Sequence, residues 1–198
     1  MAKNIDGPLY YERMGRTGPV MAFVHPNPMD QSFWVFQMAQ MSTWYRCIAI
    51  DVPGYGRSPK CRKGVSMNDV AQGCWEAIDE IAPGEQAILV GCSVGSAIIN
   101  YMHNLKPERT PALIFSGTGY QPGKEFAHKR IADYKKYGID FRWRYTFDDL
   151  SPAFRATPLA TYFADMFVER NKFGDIASII HQFEAHAAPN PEDHEAKI

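Results

Sequence analysis

One stretch near the middle of the chain limits the possible folds more than any other. Residues 87–90 form a short apolar run with the length and β-branched content of a buried strand. The pattern Gly-Cys-Ser-Val-Gly follows at 91–95, and the apolar residues of 96–102 then recur at helical spacing. A strand, a G-x-S-x-G turn and a helix in this order predict a sharp bend that lifts the Ser93 hydroxyl out of a sheet. Such a bend needs glycine on both sides, because a side chain at either position would collide with the adjoining strand or helix.

The residue at the bend has two interpretations. As a nucleophile, Ser93 would face the first N–H groups of the following helix, where a developing oxyanion is stabilised. As a structural residue, Ser93 would be a helix N-cap between two ordinary loop glycines. The motif alone leaves both open.

The segments on either side of this stretch indicate an α/β protein. Further strands are predicted at 9–13, 20–24, 46–50 and 111–117, and helices at 31–41 and 67–81, the latter preceded by a capping box from Ser66 to Asp69. Apolar strands that alternate with helices predict a mostly parallel central sheet with helices on both faces. From about Tyr120 the chain is predicted to be mostly helical, at 124–137, 159–168 and 175–186, with 141–145 either strand or helix.

Composition excludes several classes of function. With 45% hydrophobic and 22% charged residues over 198 positions, the chain is globular and long enough for one sizeable core. Its 21 basic and 22 acidic residues give a net charge of −1, so no nucleic-acid partner or anionic membrane surface is indicated, and no apolar run approaches a membrane span. The four cysteines form no C-x-x-C pair, which is typical of reduced thiols. We therefore expect a cytoplasmic protein whose cysteines bind no metal.

Three loops, each after a predicted strand, share a known pattern. They read His-Pro-Asn-Pro at 25–28, Asp-Val-Pro-Gly-Tyr-Gly-Arg-Ser at 51–58, and the G-x-S-x-G of 91–95. In this order and spacing the sequence resembles the α/β-hydrolase superfamily, in its esterase-like branch with a helical cap. The resemblance implies an α/β-hydrolase core at 1–120 that contains the nucleophile elbow, a helical cap insertion at 121–190, and the start of a return to the core at 191–198.

The resemblance also implies roles for individual residues. Ser93 corresponds to the nucleophile, and the backbone N–H groups of Val94 and Asn27 correspond to the oxyanion hole. Pro26 departs from the family pattern, because glycine is usual there. His25 corresponds to a structural histidine. Aromatic residues of the cap suggest an apolar acyl or aryl pocket, for which we expect Trp143, Tyr162 and Phe163 to bind substrate, although plain core packing explains these aromatics equally well.

The rest of a catalytic triad is not evident. The family orders its triad as serine, acid and histidine, and the usual acid and histidine would follow the cap. Five histidines beyond the elbow are available, and we expect none of them to be the base: His103, His128, His181, His186 and His194. Because the usual acid and histidine are missing, we expect the chain to be a fragment. We also expect a second polypeptide, or another copy in a homo-oligomer, to cover the edge of its sheet.

The function that the resemblance implies is a serine hydrolase that cleaves an ester or thioester of a small apolar acid through an acyl-enzyme. It implies a small-molecule substrate, no metal and no cofactor. Serine at position 93 argues against dehalogenase and epoxide hydrolase chemistry, which needs a carboxylate to form an alkyl-ester intermediate. Hydrolysis of carbon–carbon bonds and perhydrolysis on the same fold stay open. A non-catalytic, ligand-binding pseudoenzyme is the alternative if the chain is complete.

Overall fold

The computed structural model describes residues 4–117, 124–138, 141–172 and 174–188. Within these residues, five strands form one sheet in the order β1-β3-β2-β4-β5. Their bounds are β1 Tyr11–Met14, β2 Val20–Val24, β3 Arg46–Ile50, β4 Ala87–Cys92 and β5 Leu113–Ser116. β1 pairs antiparallel with β3, and the other neighbouring strands are parallel. The predicted mostly parallel α/β sheet is therefore confirmed.

Helices connect and cover these strands. Their bounds are α1 Val35–Met41, α2 Met67–Asp79, α3 Val94–Leu105, α4 Lys124–Tyr137, α5 Phe141–Asp149, α6 Pro152–Arg155, α7 Pro158–Asn171 and α8 Ile176–Ala187, with short 3-10 turns at Gln31–Trp34 and Pro107–Arg109. Residues 141–145, for which the sequence left strand and helix open, are helical. Trp143 and Phe147 stack on one face of α5 with their ring centroids 5.0 Å apart, which is the contact expected of side chains four apart in a helix.

The sheet buries both of its faces. Successive side chains of a strand point to opposite sides, so Val20, Ala22 and Val24 join one apolar cluster while Met21 and Phe23 join another. Residues of α2, α3, α4 and α8 cover the first face. Trp34 and Met38, from the segment before and within α1, cover the second. This arrangement confirms helices on both faces of the sheet.

Local signals account for the start of α2. Ser66 Oγ accepts the Asp69 N–H at 3.1 Å, and the Asp69 carboxylate accepts the Ser66 N–H at 2.9 Å. These two bonds are the predicted capping box, and they satisfy donors that an uncapped helix end leaves open.

Helices α4 to α8 lie against the loops at one edge of the sheet. Ser178 of α8 accepts the Cys61 N–H at 3.0 Å, and Arg170 of α7 pairs with Asp30 at 3.0 Å. The placement agrees with a helical layer over the core, but the predicted domain boundaries stay predictions. Residues 191–198 lie outside the described residues.

The longest helices of the described chain have 14 residues, and none of them has the length and apolarity that a bilayer crossing requires.

Candidate active site

Ser93 lies at the bend between β4 and α3, in a backbone conformation that L residues rarely adopt. Its φ and ψ angles are 53° and −118°, which are those of the first central residue of a type II′ turn, a position that favours glycine. A non-glycine residue held there costs about 1–3 kcal/mol, and such strain concentrates at functional sites. The bend predicted from G-x-S-x-G is therefore present, and Ser93 is its strained residue.

The two flanking glycines are required by close backbone contacts. A Cβ atom on Gly91 would overlap the carbonyl oxygen of Gly95, and one on Gly95 would overlap the carbonyl oxygen of Val24 in β2. Neither contact can relax by rotating a side chain, because both involve backbone atoms. The glycine requirement predicted from the sequence is confirmed.

The Ser93 hydroxyl is not used to cap the helix that follows it. Ser93 occupies the N-cap position of α3, yet its side chain makes no capping hydrogen bond. It lines a cavity instead. The N-cap interpretation of Ser93 is thus not supported. Val94 is the first residue of α3, so its N–H has no acceptor within the helix and is directed at the helix entrance.

Asn27 reaches the same cavity from the loop after β2. β2 and β4 are parallel with Val24 opposite Gly91, so both loops leave the same edge of the sheet, where ligands bind in open α/β sheets. The Asn27 Oδ1 atom accepts hydrogen bonds from the hydroxyls of Tyr55 and Tyr134, each at 2.9 Å. Asn27 is thus held both by the loop after β3 and by helix α4.

Asp51 ties two of these loops together. Its carboxylate is 1% exposed and accepts the Gln31 N–H at 2.7 Å and the Arg57 N–H at 2.8 Å. Burial raises the pKa of Asp51 to about 6, against the opposing effect of these two hydrogen bonds. The role of this aspartate is to hold the loops that surround the candidate nucleophile.

His25 has no capacity to act as a base for Ser93. Its ring is fully buried, and its Nε2 atom accepts the Val52 N–H at 3.0 Å. The proton is therefore on Nδ1, which donates to the Pro26 carbonyl at 3.0 Å. Burial lowers the pKa of His25 to about 4. Both ring nitrogens serve the loop, which is the structural role that the resemblance implies.

A cavity of about 380 Å³ opens over the bend. Its described lining consists of polar groups at the base and mainly apolar side chains from the helices: Asn27, Ser93, Val94, Phe126, Arg130, Tyr145, Thr146, Leu150, Phe163, Phe167 and Phe183. The structure thus brings four of the predicted site residues together at one cavity.

The other two predicted substrate-binding residues lie elsewhere. Trp143 donates its indole N–H to Asp165 at 2.7 Å and stacks on Phe147, and it is not among the lining residues. Tyr162 is 66% exposed and is also not among them. Its neighbour Phe163 lines the cavity because consecutive residues of a helix point in directions about 100° apart.

Arg130 is the charged lining residue that the sequence interpretation missed. It lies in the basic helix α4, where cationic residues are normally solvated. The available signal was its spacing from Ala127 and Tyr134, which share its helix face and are buried with it.

No histidine or carboxylate is among the described residues that line this cavity. His128 is exposed on α4, and the Nδ1 atom of His181 lies 3.3 Å from the Cys61 carbonyl. His194 lies outside the described residues. The described chain also shows no group of three or more His, Cys, Asp or Glu side chains arranged to hold a metal.

Comparison with known proteins agrees with this architecture. A family model described as "alpha/beta hydrolase fold" matches residues 19–187. Epoxide hydrolase B of Mycobacterium tuberculosis is 30% identical over 127 residues, which are 59% of this chain and 35% of that protein. The chain therefore matches about a third of the length of that relative.

Solved structures share the fold at low sequence identity. An enol-lactonase from Burkholderia xenovorans superposes with a TM-score of 0.78 at 17% identity, covering 93% of this chain and 72% of that one. A thermophilic esterase from Thermogutta terrifontis superposes with a TM-score of 0.77 at 18% identity, covering 93% and 70%.

Proposed function

The chain belongs to the alpha/beta hydrolase fold family, and on that premise we propose that it is a serine hydrolase. The proposed reaction is the cleavage of an ester or thioester of a small apolar acid through an acyl-enzyme on Ser93. The observation that carries the proposal is the strained, uncapped Ser93 at the entrance of α3, which shares a cavity with Asn27 and Val94.

The proposed reaction proceeds in two halves. Ser93 Oγ attacks the substrate carbonyl carbon and loses its proton, and the backbone N–H groups of Val94 and Asn27 stabilise the oxyanion of the tetrahedral intermediate. The intermediate collapses, and the alcohol or thiol leaves with a proton. Water then attacks the acyl-enzyme, which releases the acid and restores the Ser93 hydroxyl.

The proton of Ser93 needs an acceptor, because a serine hydroxyl is a weak nucleophile without an adjacent base. None of the described lining residues is a histidine or a carboxylate. We propose that a histidine from outside this chain accepts the proton. Free imidazole in solution can replace such a base and makes this step testable.

A serine at position 93 distinguishes the proposed reaction from epoxide hydrolysis, the reaction in the name of one relative. A protein named epoxide hydrolase is similar to this chain. An alkyl-ester intermediate requires a carboxylate nucleophile, whereas position 93 carries a hydroxyl that forms acyl esters. The aromatic side chains of the lining support an apolar acyl group.

The test is covalent labelling of the full chain with a fluorophosphonate, with and without added imidazole, read by intact mass and peptide mapping. The expected result is one adduct on Ser93, absent from Ser93→Ala. If imidazole accelerates the labelling, this chain does not itself provide the base for Ser93. If the labelling rates with and without imidazole are equal, this chain provides the base.

Ser96→Ala is the matched control, because Ser96 lies three residues later and its hydroxyl donates to the Gly91 carbonyl at 3.0 Å, within the turn. The Ser96→Ala variant should form the Ser93 adduct at the same rate as the unmodified chain. A folded chain that forms no adduct under either condition and hydrolyses no p-nitrophenyl ester would contradict the proposal and favour a non-catalytic binding protein.

A further inference from the structure

An ion pair connects two sides of the cavity around Ser93. We call residues 141–171, which contain α5 to α7, the roof. The roof contributes five of the lining residues, Tyr145, Thr146, Leu150, Phe163 and Phe167. Arg170 lies in the last turn of α7, and its Nη1 atom is 3.0 Å from the Oδ2 atom of Asp30 in the loop after β2. That loop also carries Asn27, so Arg170 joins the roof to the loop of the proposed oxyanion hole.

Contacts within the roof hold its three helices together. The Trp143 indole N–H donates to Asp165 at 2.7 Å, which joins α5 to α7. The ring of Phe154 packs edge-on against that of Phe163 with centroids 6.3 Å apart, which joins α6 to α7. A contact that places α7 therefore also places α5 and α6.

Arg170 lies on the face of α7 that meets the cavity. Phe163, Phe167 and Arg170 follow one another at i, i+4 and i+7, a spacing that puts them on one side of a helix. The rings of Phe163 and Phe167 line the cavity and contact each other with centroids 5.2 Å apart. The pair of Arg170 with Asp30 thus holds this aromatic face over the cavity that Ser93 lines.

On the other side of the pair, Asp30 organises the loop next to Asn27. The Met29 N–H donates to the Pro26 carbonyl at 2.8 Å and closes a tight turn in which Asn27 has a central position. Asp30 follows this turn directly, and its Oδ1 atom accepts the Ser32 N–H at 2.9 Å. A shift of Asp30 would therefore be passed to the Asn27 N–H, because only two residues separate them.

Arg170 is a cation paired with a largely buried carboxylate. Asp30 is 9% exposed, and the buried carboxylate of Asp51 is close to it, since the Gln31 N–H donates to Asp51 at 2.7 Å. Burial, and to a smaller extent the charge of Asp30, raise the pKa of Asp51 to about 6, so the two carboxylates repel each other. Loss of the Arg170 cation would leave Asp30 beside this like charge, which favours movement of its loop toward water.

We propose that Arg170 is a positioning residue of the oxyanion hole: by pairing with Asp30, it holds the loop of Asn27 in place under the roof. This inference rests on the proposed function of Ser93. An oxyanion-hole donor acts only when it lies 2.7–3.1 Å from the developing charge, so a small displacement of the Asn27 N–H slows the reaction. Arg170 acts through Asp30 and does not touch the reacting atoms.

The first test reads the loop without any chemistry at Ser93. Hydrogen exchange of the full chain is followed by mass spectrometry, and Arg170→Gln should speed exchange in peptides covering 29–33 about 10-fold, the lower end for a hydrogen bond to a charged group. Peptides from β3 should be unchanged. The Arg170 side chain is 39% exposed, so the substitution leaves the core intact. Arg170→Lys keeps a cation for this single contact and should restore most of the protection.

The second test reads the oxyanion hole. The maximal labelling rate of Ser93 at saturating fluorophosphonate, with imidazole present, should fall about 10-fold in Arg170→Gln, less than the 10²–10³-fold that loss of a whole oxyanion-hole donor costs. Asp30→Asn should give the same fall. The double variant should be no slower than either single variant, because all three lack one and the same interaction.

Arg155→Gln is the matched control. Arg155 lies in α6, and its Nη1 atom is 3.9 Å from the Oδ1 atom of Asp148, so this pair stays within the roof. Removing the same charge there should change neither the exchange of the loop nor the labelling rate. A fall of equal size in Arg155→Gln would overturn the inference, because it would show a general effect of charge on the roof.

The remaining outcomes separate the two proposals. Unchanged exchange in peptides covering 29–33, or an unchanged maximal labelling rate, in Arg170→Gln would overturn the role of Arg170 and leave the serine hydrolase proposal standing. An unmodified chain that forms no adduct under either condition would instead refute the proposed function of Ser93, and the positioning role of Arg170 with it.

Discussion

Replacing Ser93 by glycine should stabilise the protein. The backbone of Ser93 has φ 53° and ψ −118°, which glycine adopts without the steric cost that a Cβ atom imposes. Relief of this strain is worth about 1–3 kcal/mol. Glycine also gains about 0.5–1 kcal/mol of conformational freedom in the unfolded chain, which offsets part of the relief. The expected net gain in the free energy of unfolding is about 1 kcal/mol, or about 2–4 °C in Tm for a chain of this size.

The matched control is Ser93→Ala, which removes the same hydroxyl but keeps the Cβ atom and therefore the strain. Chemical denaturation of Ser93→Gly, Ser93→Ala and the unmodified chain under one condition gives the comparison. Ser93→Ala should stay close to the unmodified chain, because the Ser93 hydroxyl makes no capping bond. A Ser93→Gly variant no more stable than Ser93→Ala would refute the interpretation of this bend as a strained site.

Three further predictions concern residues close to the site. Because burial lowers the pKa of His25 from 6.5 to about 4, the unfolded chain binds the proton first on acidification. Protonation of His25 in the unfolded chain therefore lowers the free energy of unfolding by about 2 kcal/mol between pH 7 and pH 5, and by about 3 kcal/mol once the pH is below both pKa values. The His25→Gln variant should not show this loss. Gly95→Ala should cost at least about 2 kcal/mol and prevent fluorophosphonate labelling, because the added methyl group overlaps the carbonyl of Val24. Tyr134→Phe should cost about 1 kcal/mol and slow labelling, because it removes one of the hydrogen bonds that hold Asn27.

Each of these predictions has a control. Parallel pH profiles of the free energy of unfolding for the unmodified chain and His25→Gln would contradict the low pKa. Gly64→Ala adds a methyl group with nothing within 4 Å, so it should cost only the strain of its positive φ and leave labelling intact. For Tyr134→Phe, unchanged labelling and stability would mean that the Tyr134 hydroxyl is not needed to hold Asn27.

Local signals explain which elements the sequence predicted well. The bounds predicted for β2, β3 and α4 are those observed, and the capping box of α2 forms as expected. The features behind these predictions are apolar runs, turn residues and capping residues, which act over a few positions and survive in any tertiary context. The bend at Ser93 belongs to this group, since glycines on both sides of a serine, between a strand and a helix, leave few other conformations.

The sequence by itself therefore determined the α/β class, the bend and the loops that meet beside it. Only the tertiary structure decided which side chains reach the cavity. Helical periodicity tells which residues share a face, but not whether that face meets solvent, the core or a cavity. In α7, apolar residues lie on several sides, so the pattern could not separate the exposed Tyr162 from Phe163, which lines the cavity. In α4, the same limit concealed Arg130, whose burial depends on aromatic side chains that lie close to it only in the folded chain.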